Sequence, residues 1–226
     1  MKTKFGFTLA EVLITLGIIG VVAAITIPNL IANYQKRSAI TNLKHIHAQL
    51  TQAIKLSEYE NGPVESWDIY RPGDFNASNT YAAYSKAVLE YIQPYLKVSR
   101  IGYVYDGKEL YTIHNMKGEK FGAVISRHYL ETMTGAIISV NHVNWYNPYI
   151  FFQVDYNGKS GPNIYGKDVF FFHLAKSGNL DAYNWANKSR EEILKSNCCK
   201  TCTDPNRECL AVIMKDNWEI RKDYPW

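Results

Sequence analysis

Gly6-Phe7-Thr8-Leu9-Ala10-Glu11, with the apolar run that follows it to Ile27, decides how the rest of this chain is read. Between Phe7 and Ile27 the only polar side chains are Thr8, Glu11, Thr15 and Thr26. As a helix rising about 1.5 Å per residue, the run reaches about 31 Å, enough to cross the hydrocarbon core of a bilayer. Glu11 sits inside it, where an ionised acid costs about 2.5–3.5 kcal/mol on insertion scales and so needs a partner. No Lys or Arg lies between Phe7 and Gln35. The nearest cation would be a free α-amino group, made if the bond after Gly6 were cut. Lys2 and Lys4 precede the span, which favours a cytoplasmic amino terminus and a head on the far side.

Past the span, Leu30, Ile31, Tyr34, Ile40, Leu43, Ile46 or His47, Leu50 and Ile54 recur at three- and four-residue spacing. That is one face of an amphipathic continuation of the same helix, with Lys36, Arg37, Lys44, Gln49 and Gln52 on the remaining surface. Pro28 removes a backbone donor and is expected to bend or loosen the helix. Asn61-Gly62-Pro63 ends it. His45 and His47 point about 200° apart on a helix, so they cannot share a metal within it and read as solvated or packed histidines.

The remainder reads as an α+β head with an antiparallel sheet. Residues 65–77 look loop-like, and Ser78 or Asn79 is expected to cap a second helix with a stripe of Tyr84, Val88, Tyr91, Ile92 and Tyr95, ended or kinked by Pro94. Strand-like runs follow at residues 102–105, 109–114, 121–126, 136–140, 149–155 and 169–174. Asp106-Gly107 between the first two signals a hairpin. Ser189 with Glu192 forms a capping box for a short helix, and residues 210–214 read as a last strand. Tyr occurs 17 times and aromatics make up 14% of the chain, which suits a strand-rich head.

The net charge of +4 is not concentrated in any basic patch, which argues against nucleic acid as a partner. No Gly-x-Ser-x-Gly, phosphate-cradling glycine loop or His-Glu-x-x-His helix is present, so the sequence reads as that of a non-enzyme. Cys198, Cys199, Cys202 and Cys209 are the four cysteines. In an exported head, two disulfides are favoured over zinc. Four cysteines allow three pairings and the spacing does not choose, although a vicinal Cys198–Cys199 ring would be strained. Asp155, Asn157, Asn163 and Asp168 stand in the densest polar stretch. They supply oxygens of the kind calcium takes, yet the same Gly/Pro/Asn composition makes an ordinary turn held by Asx hydrogen bonds.

The basic leader, the Gly6–Phe7 junction, the buried Glu11 and the apolar span together resemble the amino terminus of type IV prepilins and type II secretion pseudopilins. The resemblance implies a leader, residues 1–6, removed by prepilin peptidase, and methylation of the new Phe7 nitrogen. It implies a transmembrane and filament-core half, residues 7–27, an amphipathic half, residues 28–60, and a head, residues 61–226, with a Cys-rich carboxyl-terminal region. Glu11 would neutralise the terminal amine of a neighbouring subunit during assembly, and Pro28 falls where many of these proteins carry a helix proline. Partners implied are copies of the chain, other pilins or pseudopilins, and an inner-membrane assembly platform. The implied location is the bacterial inner membrane, crossed once, and then a filament in the periplasm or at the cell surface. Some pseudopilins hold a structural calcium in a head loop, which the Asp155–Asp168 stretch loosely resembles. The other readings are a membrane-anchored module binding calcium or glycan without assembling, and a minor pilin for adhesion or DNA uptake.

Overall fold

The computed structural model describes residues 8–69, 77–105, 108–125, 127–143, 150–183, 187–195 and 208–226. Helix α1 runs Leu9–Asn61 and contains Pro28 without a break in its helical assignment. The chain divides into two compact units, Met1–Ser38 and Ala39–Trp226.

In the first unit, α1 is apolar all round from Val12 to Ile27 but for two threonines, and its large side chains are exposed, among them Leu13, Ile18, Val21 and Ile25. It is long and apolar enough to cross a membrane. Its few polar groups are absorbed by the helix itself. The Thr15 hydroxyl donates to the carbonyls of Glu11 and Val12, both at 2.9 Å, and that of Thr26 to the Val22 carbonyl at 2.8 Å. Such back-bonding leaves no hydroxyl seeking water along the run. Leu30, Ile31 and Tyr34, the first members of the expected amphipathic stripe, are exposed as well.

In the second unit, α1 buries Ala39, Leu43, Ile46, Leu50, Ala53, Ile54 and Ser57, the three- and four-residue stripe of a core-facing helix. Helix α2, Ala77–Ile92, stops at a 3-10 turn over Gln93–Tyr95, because Pro94 cannot extend it. Ser78 and Asn79 lie inside its first turn and not at its cap. A segment after α1 is pinned between the helices: Trp67 stacks on Tyr91 at 4.6 Å with its ring nitrogen donating to the Gly62 carbonyl.

Eight strands follow: β1 Val98–Tyr103, β2 Glu109–His114, β3 Lys120–Ile125, β4 His128–Thr132, β5 Ile137–Val143, β6 Ile150–Asp155, β7 Val169–Leu174 and β8 Leu180–Ala182. Six form an antiparallel sheet in the order β1-β4-β5-β6-β7-β8, and β2 pairs with β3 in a separate two-stranded ribbon. The register of β1 on β4 shifts between Val98 and Arg100. Pairing Leu130–Ile138–Val154–Phe170 puts these side chains on one face, since paired residues share a face and alternate along each strand. They join the stripe of α1 and the residues Val88 and Ile92 of α2 in the main core. The opposite face, through Tyr129 and Ile137, packs with Val124 and Leu110 of the β2–β3 ribbon. The sheet is thus a middle layer, which is why β6 is buried at every position. Helix α3 spans Arg190–Lys195 and helix α4 Cys209–Lys215.

The expected α+β head with an antiparallel sheet is what the chain forms. Two strand expectations are corrected. The strands flanking Asp106-Gly107 do not pair as a hairpin, because β1 joins β4 and β2 joins β3; residues 106 and 107 themselves lie outside the described residues. Residues 210–214 are helix α4 and not a strand, and five consecutive apolar side chains carry no period by which to tell the two apart. Strands β4 and β8 were unforeseen; β8 has only three residues.

Candidate functional site

Gly6 and Phe7 lie outside the described residues. The first described turn of α1 shows how Glu11 is held. Its Oε2 accepts from the Thr8 backbone N–H at 2.8 Å and from the Thr8 hydroxyl at 2.7 Å, while the Glu11 N–H donates back to Thr8 Oγ1 at 3.3 Å. This is a capping box, and Thr-x-x-Glu at residues 8–11 is its sequence signal, overlooked beside the junction itself. The carboxylate therefore has a partner within its own chain.

The second site is the turn between β6 and β7, which brings all four candidate residues together. Asp155 closes β6 and is fully buried, and Asp168 precedes β7 and is 1% exposed. The Asp168 carboxylate accepts from the Asn163 N–H at 2.8 Å, from the Ile164 N–H, and from Asn157 Nδ2 at 3.4 Å. Asn157 Nδ2 also donates to the Gly161 carbonyl at 2.6 Å, and the Asn157 N–H reaches Asp155 Oδ1 at 3.3 Å. These are the Asx-type bonds of the plain turn. The ribbon closes over them: the His114 N–H donates to the Asn163 carbonyl and the Tyr165 N–H to the His114 carbonyl. Tyr111 of β2 faces Asp155 without completing a hydrogen bond of ordinary geometry.

Two buried acids at one turn conflict electrostatically. Burial pushes the Asp155 carboxyl up to about 8, and the charge of Asp168 adds to the rise. Burial raises Asp168 too, against the N–H groups of Ile164 and Asn163. No basic side chain among the described residues balances either one. Asn157 Oδ1 is buried with no hydrogen-bond partner. The amide of Asn163 has two ways to sit. With its oxygen inward it faces only acceptors; turned over, its nitrogen donates to Asp155 Oδ2 at 3.3 Å and to the Gly158 carbonyl at 3.2 Å. A proton on Asp155 with the amide nitrogen inward settles the cluster. A hard cation with the amide oxygen inward would do so too, met there by the oxygens of Asn163, Asp155 and Gly158. Gly158, at φ +61, keeps the space beside this carbonyl clear: a Cβ there would stand 2.3 Å from the Gly135 carbonyl oxygen. Among the described residues no three His, Cys, Asp or Glu side chains form a metal group.

Cys209, at the start of α4, is fully buried and disulfide-bonded, so it is not a thiolate ligand. Cys198, Cys199 and Cys202 lie outside the described residues. His45 is exposed. His47 packs on Phe172 and Trp218 and its Nε2 lies 2.9 Å from the Leu180 carbonyl, so it is a packed histidine. The capping box foreseen at Ser189 is present, with Glu192 accepting from the Ser189 N–H at 2.6 Å.

Comparison with known proteins agrees with the amino-terminal reading. Residues 1–27 match the model of the prokaryotic N-terminal methylation motif, and residues 29–226 that of a family of unknown function, DUF6613. Over 68 residues the chain is 32% identical to prepilin peptidase-dependent protein D of Escherichia coli (strain K12), covering 30% of this chain and 46% of that one. The chain thus matches about half the length of this curated relative. No solved structure matches. The chain belongs to the DUF6613 family of unknown function, and its amino terminus carries the prokaryotic N-terminal methylation motif, consistent with a type IV pilin or pseudopilin.

Proposed function

We propose that this chain is a structural subunit of a type IV pilus or type II secretion pseudopilus. Prepilin peptidase cuts it after Gly6 and Phe7 is methylated. The subunit waits in the inner membrane with its amino terminus cytoplasmic and its head outside. An assembly platform then packs residues 7–27 with copies of itself and other pilins, while Pro28 loosens the helix between that half and residues 28–60. One observation carries the reading: α1 exposes apolar side chains all round as far as Ile27, yet keeps a single carboxylate, Glu11, near its start. A lipid anchor alone would use that acid only as the cap of its first turn. The dependence on prepilin peptidase for which the Escherichia coli relative is named supports the same processing.

Glu11 acts as a register key. Enclosed among apolar helices, an unpaired charge would cost several kcal/mol, and a neighbour's Phe7 ammonium offsets it only at the correct axial offset. Glu11→Leu is expected to insert and be cut normally but fail to accumulate in sheared filaments when it is the sole subunit. Normal filaments with unchanged subunit spacing would overturn the assignment.

The head carries a structural calcium held by Asp155, Asn157, Asn163 and Asp168, and Cys198, Cys199, Cys202 and Cys209 form two disulfides. The orphaned Asn157 oxygen and the two uncompensated carboxylates support the calcium. Chelation is expected to lower the melting temperature of the head and Asp155→Ala to abolish that sensitivity, because a ion bound only by the folded state stabilises it. An unchanged melting temperature on adding calcium to stripped protein would leave the plain turn.

A further inference from the structure

We propose that the cation site in the β6–β7 turn is also the clasp for the carboxyl-terminal segment, so that calcium sets whether the last residues are docked on the head. The proposal rests on the reading of that turn as a calcium site and adds what the site controls.

The turn reaches the carboxyl-terminal segment at three consecutive residues. The hydroxyl of Tyr165, which is fully buried, accepts from the Cys209 N–H at 3.3 Å. The Gly166 carbonyl accepts from the Tyr224 hydroxyl at 2.6 Å. The Lys167 ammonium lies over the ring of Trp226, 5.5 Å from its centroid. Gly166 is the meeting point, because a Cβ there would be 3.0 Å from Cys209 Sγ, 3.1 Å from the Tyr224 hydroxyl and 2.8 Å from Met116 Cε.

The same three residues are set from behind by Asp168. Its carboxylate holds the N–H groups of Asn163 and Ile164. The Ile164 carbonyl in turn accepts from the N–H groups of Lys167, Asp168 and Val169 at 3.0–3.2 Å. A cation that fixes Asp168 and the Asn163 amide oxygen therefore fixes the positions of Tyr165, Gly166 and Lys167. Without it, the Asn163 amide turns over toward Asp155 and Gly158, and the carboxylate that orders the turn faces a second buried acid.

The two ends of the carboxyl-terminal segment differ in what else holds them. Helix α4 buries Cys209 to Ile213 in the main core and packs on β7 and β8, so it stays when the clasp loosens. Residues 222–226 form no regular element. Besides the packing of Tyr224 and Trp226 against the main core, they are held by the Tyr224 and Trp226 contacts to the turn and the ion pair of Asp223 with Arg190. They are the part whose docking follows the cation.

Hydrogen exchange read by mass spectrometry on the full chain in detergent micelles, in excess calcium or in chelator, tests this, with native mass spectrometry counting bound calcium. With calcium, amides 163–168 and 222–226 are expected to exchange about two- to tenfold more slowly, the range one net hydrogen bond supplies, while α4 is unchanged. Tyr224→Phe removes the Gly166 tether without touching the cation ligands. It is expected to bind calcium as before while exchange at 222–226 no longer responds. Calcium binding that slows only residues 155–168 would overturn the clasp and leave the site standing. No bound calcium at millimolar concentration would overturn the site reading and the clasp with it.

Discussion

Gly158→Ala is the substitution by which the packing of the β6–β7 turn is most sharply tested. Gly158 sits at φ +61, and an added Cβ would lie 2.3 Å from the Gly135 carbonyl oxygen, a backbone atom in the β4–β5 turn. The left-handed conformation costs an L-residue about 1–2 kcal/mol, partly offset by about 0.4–1 kcal/mol from a stiffer unfolded chain. Forcing two backbone turns apart adds about 1–3 kcal/mol of overpacking strain. The sum is about 3 kcal/mol, or about 6–12 °C at about 2–4 °C per kcal/mol for a domain of this size. Gly118→Ala is the control: its φ is +84, but nothing lies within 4 Å of its added Cβ. It is expected to cost about 1 kcal/mol, the conformational part alone. Thermal unfolding followed by near-ultraviolet circular dichroism reads the aromatic-rich head and not the apolar helix. Chelator throughout removes any cation from the comparison. Equal losses in the two variants would refute the contact between the turns.

Stability should depend on pH through His173, whose imidazole burial pushes down to about 4. The unfolded chain takes up that proton near 6.5 and the folded chain does not, so this contribution is full above pH 6.5 and is lost as pH falls toward 4. The stability gap between parent and His173→Phe is expected to shift in the variant's favour over that window in urea titrations, and a gap independent of pH would contradict it. Arg190 bonds Asp216 at 2.5 Å and Asp223 through both terminal nitrogens, tying α3 to the last turns. Arg190→Met leaves Asp216, 1% exposed, with Arg221 alone at 3.2 Å, and is expected to cost about 2 kcal/mol in chemical denaturation, below the full loss of a buried pair. Intact mass of protein from native membranes is expected to lack residues 1–6 and carry one methyl group, and an unprocessed amino terminus in cells with active peptidase would end the pilin reading.

The parts of the fold legible in the sequence are those where one face alone is buried. Leu43, Ile46, Leu50 and Ile54 announce themselves because the rest of that helix surface is polar. Strands β2 and β7 fall where their β-branched and aromatic runs begin and end. Legibility fails where burial is two-sided or where pairing is distant. Residues 209–213 are buried throughout, so their apolar run has no period. Asp106-Gly107 carries a hairpin signal, but the competing partners of β1 and β2 lie further along the chain. At the turn, the four oxygen-bearing residues are close in sequence and were visible together. The approach of Tyr111 was not, because it depends on β2 arriving from another layer. Leu30, Ile31 and Tyr34 show a different limit: their spacing marks an apolar stripe but does not say which molecule covers it.

The six-stranded sheet is open, and its two ends have a consequence for crowding. An open end offers unpaired amides and carbonyls on which another sheet can grow, the route to aggregation. Where identical heads are held at high local density, that hazard is largest. One border strand, β8, is only three residues long, too short to template a neighbour. The other, β1, breaks its register between Val98 and Arg100, and Arg100 projects there with its side chain half exposed, paired to Glu131. Ser99 turns its hydroxyl inward to the Glu131 and Thr132 carbonyls. A kinked, charged border resists flat stacking. In the filament proposed above, neighbouring heads would therefore touch without zipping into a shared sheet, their order left to the helices.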